Sequence, residues 1–234
     1  MKIKELEKKI LENKNLEKAK LLSRFFKTNK GEYGEGDFFL GITVPVQKKI
    51  VKEFKELDLN SLQELLNSKF HEKRSISLLI LIEQFKKADD NKKKEIYEFY
   101  LKNSKKINNW DLVDLTAPNI IGKYLLDKPR DILYKLAESE NLWERRIAIL
   151  STFSFIRQND FNDCLNISKI LLNDSHDLIH KAVGWMLREI GKRDRRILEN
   201  FLIYNYKKMP RTMLRYAIEK FPELKRKKFL KGEV

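Results

Sequence analysis

A tryptophan and an aspartate stand four residues apart in the stretch NNWDLVDL, residues 108–115. On an α-helix, positions i and i+4 lie one above the other, so Trp110 and Asp114 are predicted to look out from one face. An aromatic ring beside a carboxylate suits a cationic ligand. The alternative is that the tryptophan anchors the core and the aspartate caps the helix. Either way, a helix must present both side chains, and it is predicted to begin after Ile107 and to stop near Pro118.

Other combinations of residues give weak signals for catalysis. The three histidines are His71, His176 and His180, and no Cys, third His or HExxH pattern completes a zinc site around the last two. We expect them to be ordinary surface or packing residues. The glycine-rich segment 30–37 lacks the Gly-Lys-Ser/Thr of a phosphate-binding loop, and no convincing Ser or Cys nucleophile is present. The sequence therefore predicts no metal and no cofactor.

The composition indicates a folded chain with an excess of positive charge. Its 234 residues are 42% hydrophobic, with few Gly or Pro, so one domain is expected although the length also allows two. Lys and Arg outnumber Asp and Glu by 49 to 34, a net charge of +15. Such a field attracts polyanions, of which nucleic acid is the best candidate. The alternative is that lysine-rich usage reflects the host's composition.

Cysteine usage and the amino terminus bear on the compartment. Cys164 is the single cysteine, which excludes an intramolecular disulfide and fits a reducing compartment, most simply the cytoplasm. Charges scattered through the first 20 residues interrupt any apolar run. We therefore expect neither a signal peptide nor a membrane span.

The first part of the chain reads as helices around a loop. Residues up to Lys27 have the pattern of one or two amphipathic helices. Residues 30–37 carry three of the eight glycines, which permit positive φ and indicate an ordered loop. Thr43 is predicted to cap a helix over 46–57, with Pro45 in its first turn.

From Asp58 onward, apolar helical segments recur at a nearly constant distance. Arg74, Trp110, Arg146 and Lys181 are separated by 36, 36 and 35 residues. A period of about 35 residues holds two short helices and their turns. The sequence therefore predicts an all-α fold, a curved α-solenoid of two-helix repeats.

In this solenoid, one helix of each repeat faces outward and the other lines the concave side. The outer helices are predicted at 60–67, 92–101, 129–138 and 195–207, and the inner ones around 71–79, 108–115, 143–150, 179–185 and 209–215. The whole chain is expected to be one monomeric domain, with amino-terminal helices and the glycine-rich loop at 1–57, repeats at 58–221 and a basic tail at 222–234.

The predicted concave face collects aromatic, acidic and basic side chains. Its members are Trp110, Asp114, Arg146 and Trp185, with Arg74, Lys181, Arg188 and Arg215 nearby. Arginines bind phosphates, and aromatic rings contact sugars or bases. Each residue also has a structural alternative: Trp143 and Trp185 as packing between repeats, Arg145 and Arg146 as a solvated charge pair, and Arg188 and Glu189 as an intrahelical salt bridge.

Four motifs resemble one known family. They are GEYGEGDFFLGITVP at 31–45, NNWDLVDLTAP at 108–118, LWERRIAIL at 142–150 and HKAVGWMLREIGKRD at 180–194. Together they are similar to the AlkD-type DNA glycosylases, the HEAT-like-repeat DNA alkylation repair proteins, from about Leu21 to Phe221. The resemblance implies HEAT-like two-helix repeats and removal of cationic N3- or N7-alkylated purines from double-stranded DNA.

The resemblance also implies roles for individual residues. Asp114 would stabilise the oxocarbenium-like sugar and position the attacking water, while Trp110 and Trp185 would pack on the deoxyribose. Arg146 would hold the adjacent phosphate. Further DNA contacts are expected from Arg145, Arg74, Lys181, Arg188 and Arg215. Asp111 competes as the carboxylate, but it lies about 100° around the helix from Trp110.

Two other functions stay open at this point. A non-catalytic solenoid could bind branched or distorted DNA through the same basic face, as some relatives of this type do. A scaffold for other proteins is the third possibility, because helical solenoids often bind peptides. The catalytic members of the family are favoured over these alternatives by the presence of Trp110, Asp114, Arg146 and Trp185.

Overall fold

The computed structural model describes residues 2–234, which fold mainly into helices. The α-helices are α1 (Lys2–Glu12), α2 (Leu16–Phe25), α3 (Val44–Phe54), α4 (Leu59–Leu66), α5 (His71–Lys87), α6 (Asp90–Lys102), α7 (Trp110–Thr116), α8 (Asp131–Ala137), α9 (Leu142–Ser151), α10 (Phe153–Ile156), α11 (Asn162–Ile170), α12 (Asp177–Arg193), α13 (Arg195–Asn205), α14 (Arg211–Ala217) and α15 (Glu223–Lys231). Short 3₁₀ turns lie at Ser104–Lys106 and Leu171–Asn173, and a π turn lies at Pro118–Gly122. The one extended contact among residues 2–234 is an isolated bridge between Phe38 and Phe70.

The prediction of an all-α, repeat-built fold is confirmed. The predicted outer segments correspond to α4, α6, α8 and α13, and the predicted inner ones to α5, α7, α9, α12 and α14. These helices form two compact units, one up to Leu112 and one from Val113 onward. In the first unit, α3 and α4 pack on α5, and in the second, α8 packs on α9 while α12 packs on α9, α13 and α14. Apolar side chains between the helices form the core of each unit.

The structure shows which residues occupy equivalent positions in the repeats, and these differ from the spacing-based alignment of Trp110 with Arg146. Asp114 is the fifth residue of α7, and Arg146, Lys181 and Arg215 are the fifth residues of α9, α12 and α14. Trp110 is the first residue of α7, so its alignment with Arg146 is wrong by about one helical turn. Asp114 thus takes the position that a basic residue occupies in the three later repeats.

Two details of the amino-terminal region differ from prediction. The amphipathic segment forms two helices, and the third helix spans Val44–Phe54 rather than 46–57. Thr43 occupies the predicted N-cap position, but its side chain makes no capping hydrogen bond. Pro45 does lie in the first turn, where its missing N–H would have had no helical partner anyway. At the other end, the predicted basic tail contains α15.

The loop after the glycine-rich segment is fixed by one buried carboxylate. Glu72, in the first turn of α5, accepts hydrogen bonds from the backbone N–H groups of Leu40, Gly41 and Ile42 at 2.9, 2.8 and 3.2 Å. Gly41 has φ of +82°, and a Cβ there would lie 2.0 Å from the carbonyl oxygen of Asn15. Only glycine fits this close approach to α2.

We expect Glu72→Ala to lower the free energy of unfolding by about 3 kcal/mol or more, because it leaves three N–H groups without their acceptor and each unsatisfied buried group costs about 1–3 kcal/mol. Urea denaturation measures the loss. Glu64→Ala, an exposed glutamate on α4, is the control and should change stability by less than about 0.5 kcal/mol. Equal stability of the Glu72 variant and the unmodified protein would contradict this role.

Among residues 2–234, no helix combines the length and apolar character needed to span a bilayer.

Candidate functional site

The helix α7 is short because both of its ends are fixed locally. Asn109 is buried, and its side-chain oxygen accepts from the backbone N–H of Trp110 at 2.8 Å. The predicted stop near Pro118 is confirmed, since the helix ends at Thr116 and a π turn follows. Proline has no N–H to donate to the carbonyl four residues earlier, which is that of Asp114. The sequence thus limits α7 to the segment that carries the two residues singled out above.

Aromatic side chains from α2 and from the residue that follows it hold the indole of Trp110. Phe26 stacks on the indole with centroids 5.4 Å apart and planes 29° apart, and Phe25 meets it edge-on at 5.9 Å. The indole N–H donates to the hydroxyl oxygen of Tyr33, in the glycine-rich loop, at 3.2 Å. Trp110 is half-buried, whereas 62% of Phe25 is exposed. The amino-terminal region therefore supplies the support for this tryptophan.

The Asp111 carboxylate is paired with a buried histidine, although 26% of its side chain stays exposed. Its Oδ2 lies 2.9 Å from Nε2 of His71, which is buried at the start of α5. The same imidazole stacks on Phe39 and Phe26 with centroids 4.8 and 5.0 Å apart. No sequence pattern indicates this contact, because His71 and Asp111 are 40 residues apart.

Arg74 is too deeply buried for the direct DNA contact that the sequence predicted. Only 4% of it is exposed, and its guanidinium donates to Asp37 at 2.7 Å and to the carbonyl of Ser68 at 2.9 Å. It lines an open cavity of about 390 Å³ together with Lys105 and Lys106, whose side chains are exposed. The lysines give this part of the first unit its accessible positive charge.

In the second unit, Asp114 and Arg146 form a two-point ion pair. Nε and Nη2 of Arg146 donate to Oδ1 and Oδ2 of Asp114 at 2.7 and 2.8 Å, and Nη1 donates to the carbonyl of Leu178 at the start of α12. The arginine side chain is 5% exposed and the aspartate side chain 19%. The alternative of a solvated pair between Arg145 and Arg146 is therefore wrong. The guanidinium is fixed by three hydrogen bonds, and it orients a carboxylate that stays partly accessible.

The neighbouring Arg145 is also engaged. Its Nε donates to Asp174 at 2.6 Å, and Nη1 donates to the carbonyls of Ser139 and Glu140 at 2.8 Å each. These bonds join the loop before α9 to the loop before α12. Arg145 therefore has a structural role whether or not it also meets DNA.

Helix α12 presents Lys181, Trp185 and Arg188 at the spacing of a single face. All three are half-buried, while Trp143 on α9 is buried and serves packing. The indole N–H of Trp185 donates to Glu189 at 3.1 Å, and its ring lies 5.9 Å from that of Phe153. Lys181 pairs with Asp177 at 2.6 Å, and Arg188 pairs with Glu219 and, at 3.8 Å, with Glu189. The predicted Arg188–Glu189 salt bridge is confirmed.

The family follows from a comparison with family models. The model described as "DNA alkylation repair enzyme" matches residues 6–221, which is most of the chain. The chain belongs to the DNA alkylation repair enzyme family. Membership gives it a role in DNA alkylation repair, with DNA as its partner.

A solved structure shares the fold of this DNA alkylation repair protein. It is described as a predicted DNA alkylation repair enzyme from Enterococcus faecalis, with a TM-score of 0.69 and 17% sequence identity. The match covers 90% of this chain and 98% of that one. No curated protein matches significantly.

Several residues that position the candidate site escaped sequence reasoning. Phe25, Phe26 and Tyr33 surround Trp110 although they are 77 to 85 residues away along the chain. The available signal was the run of aromatic residues beside the glycine-rich loop.

Arg215, on α14, is exposed as a DNA contact of this repair protein would need.

The thiol of the single cysteine is unsuited to nucleophilic catalysis. Cys164 is fully buried, and burial raises the pKa of its thiol to about 12. A thiol with that pKa stays protonated at neutral pH, and the thiolate is the nucleophilic form.

Proposed function

We propose that the protein is a monofunctional DNA glycosylase that hydrolyses the N-glycosidic bond of cationic N3- or N7-alkylated purines in duplex DNA. Such a base already carries a positive charge, so it leaves without a strong general acid. The demanding species is the oxocarbenium-like sugar that forms as the bond lengthens. A carboxylate held beside it lowers the barrier.

The observation that carries the proposal is the Asp114–Arg146 pair. Two parallel hydrogen bonds from the guanidinium orient the carboxylate, and a fifth of its side chain stays accessible. A preorganised charge of this kind needs little reorganisation when positive charge develops on the sugar. In the proposed mechanism, Asp114 stabilises that charge and positions the attacking water.

The two tryptophans are proposed to pack on the deoxyribose of the damaged nucleotide. Trp110 has its N–H satisfied by Tyr33 and one ring face covered by Phe26, which fixes the orientation of the indole. Trp185 is similarly oriented by Glu189. Cation–π attraction between such a ring and a cationic lesion is worth about 2 kcal/mol when the site is desolvated.

Release of free base from alkylated duplex DNA tests the proposal. The unmodified protein should release 7-methylguanine or 3-methyladenine and leave an abasic site that alkali cleaves. Chromatography of the released base and gel analysis of the strand measure both products. Binding without any release would sink the glycosylase and leave the non-catalytic binder, which the burial of Asp114 and Arg146 in an ion pair also fits.

DNA affinity should depend steeply on salt, because the basic side chains displace counterions from phosphates. We expect Arg215→Ala to weaken binding to any duplex and to lower the slope of log K against log salt by about 1. Lys135→Ala, on the predicted outer helix α8, is the matched control and should leave the slope unchanged. Titrations of a fluorescent duplex at several salt concentrations measure both. A slope equal for Arg215→Ala and the unmodified protein would remove Arg215 from the interface.

A further inference from the structure

A charged cluster surrounds the buried His71, whose ring stacks on Phe26, the same ring that stacks on Trp110. His71 is 3% exposed, with Nε2 2.9 Å from Asp111 and Nδ1 3.6 Å from Asp37. Arg74, one turn further along the same helix, pairs with Asp37 at 2.7 Å. The rings of Phe26, which follows α2, and Phe39 lie against the imidazole. The charged partners of His71 are therefore Asp37, Asp111 and Arg74.

The charges of this cluster balance only when His71 is protonated. Asp37 and Asp111 contribute two negative charges and Arg74 one positive charge. A neutral imidazole has one N–H and can donate to one carboxylate, whereas the imidazolium has an N–H facing each. Burial alone would lower the pKa of His71, but the hydrogen bond to Asp111 and the carboxylate of Asp37, 3.6 Å from Nδ1, outweigh it and raise the pKa above 6.5. Burial likewise raises the pKa of Asp37, and His71 and Arg74 reverse this to a net lowering.

The cluster joins the two segments that hold Trp110. Asp37 ends the glycine-rich loop, whose Tyr33 accepts from the indole N–H, and Asp111 directly follows Trp110 in α7. Asn108 adds a hydrogen bond from the turn before α7 to Asp37 at 3.2 Å. Phe26 stacks on both the imidazole and the indole. A change at His71 therefore reaches Trp110 through the backbone of α7, through the loop and through the stacked rings.

We propose that His71 is a positioning residue whose imidazolium clamps the glycine-rich loop to the start of α7 and so fixes the indole of Trp110 for the damaged nucleotide. The part that concerns the nucleotide rests on the proposed glycosylase function. The clamp itself is a property of the first unit alone.

The sign of the pH dependence follows from the raised pKa of His71. The clamp is complete below pH 6.5, the value for an unperturbed histidine, and is lost as the pH rises through the higher pKa of the folded protein. Base release should therefore decline above that pKa, while affinity for undamaged DNA, which phosphate contacts dominate, should change less.

NMR of protein labelled with ¹⁵N-tryptophan tests the clamp without any reaction. The three indole N–H signals are assigned with Trp→Phe variants, and the titration of His71 is followed on its ring protons. We expect the Trp110 signal to move with the midpoint of His71, above 6.5, while the Trp143 and Trp185 signals do not follow it. A Trp110 signal that ignores the titration of His71, or a His71 midpoint at or below 6.5, would overturn the clamp.

Two variants separate positioning from mere packing. His71→Gln should remove the pH dependence of the Trp110 signal, and Asp111→Asn should lower the midpoint of His71 because one carboxylate partner is gone. His180→Gln, a half-buried histidine of α12, is the matched control and should leave the Trp110 titration unchanged. If His71→Gln does not fold, the Asp111 variant still decides the case, and an unchanged midpoint there counts against the clamp.

The base-release assay then tests the link to function. Release by the unmodified protein should fall at least 5-fold across the His71 titration, and release by His71→Gln should be low and independent of that titration. A flat release profile beside a clear NMR titration would separate the clamp from catalysis. Absence of release at every pH would instead refute the proposed function and leave the NMR result standing.

Discussion

Asp114→Asn should lower the rate of 7-methylguanine release by roughly 10²-fold or more, the usual effect of removing one preorganised electrostatic group. Affinity for undamaged duplex should stay nearly the same, because phosphate contacts dominate it. The amide keeps the shape of the carboxylate but not its negative charge, so stabilisation of the developing sugar cation is lost. Single-turnover release and a binding titration on the same duplex measure the two quantities.

The ion pair makes a stability control necessary for this variant. Asparagine has one side-chain oxygen instead of two to accept hydrogen bonds from Arg146. A buried donor left without a partner lowers the free energy of unfolding by about 1–3 kcal/mol. Release should therefore be measured well below the melting temperature of the variant. Asp131→Asn, an exposed carboxylate at the start of α8 in the same unit, should leave release unchanged. Full activity of Asp114→Asn would remove this residue from the mechanism.

The second large effect is expected at Arg146. Arg146→Met should lower release by roughly 10²-fold as well, because misplacing a catalytic group by about 1 Å has that cost. Its two hydrogen bonds set the direction in which the Asp114 carboxylate points. Arg146 is 4% exposed, as Arg74 is, so the variant should leave the salt dependence of binding nearly unchanged.

A double-mutant cycle tells orientation apart from independent contributions. If Arg146 acts by holding Asp114, the double variant with Asp114→Asn should be little slower than either single variant. If the two losses multiply, the residues act separately and the positioning role of Arg146 is wrong. Arg130→Met is the matched control, since Arg130 also pairs with carboxylates, Asp160 and Asp163, at 2.5 and 2.6 Å. It should cost stability but not release.

Sequence spacing was sufficient for the repeat but not for its register. The period near 35 residues fixes helix hairpins because each pair of helices must bury its apolar stripe on the next pair. The period does not determine which residues of neighbouring helices lie side by side, since turns of unequal length shift one helix along the next. Trp110 and Arg146 are 36 residues apart, yet Asp114 is the residue that meets Arg146.

Asp114 and Asp111 also show which features the sequence determines and which depend on the tertiary structure. Helical spacing placed Trp110 and Asp114 on one face and turned Asp111 away, and periodicity alone was enough for that inference. Where Asp111 goes instead depends on a partner 40 residues earlier. No local pattern encodes a contact over that distance.

By itself, the sequence determined the all-α repeat class, the short helix ending before Pro118 and the family motifs, because each depends on neighbours along the chain or on composition. The tertiary structure alone decided that Arg146 orients Asp114 and that Arg74 is buried. It also decided that His71, expected to be an ordinary histidine, lies near two carboxylates and stacks on the ring that supports Trp110. The physical reason is that burial and charge pairing are set by which distant segments meet, and that choice is made by packing of the whole core.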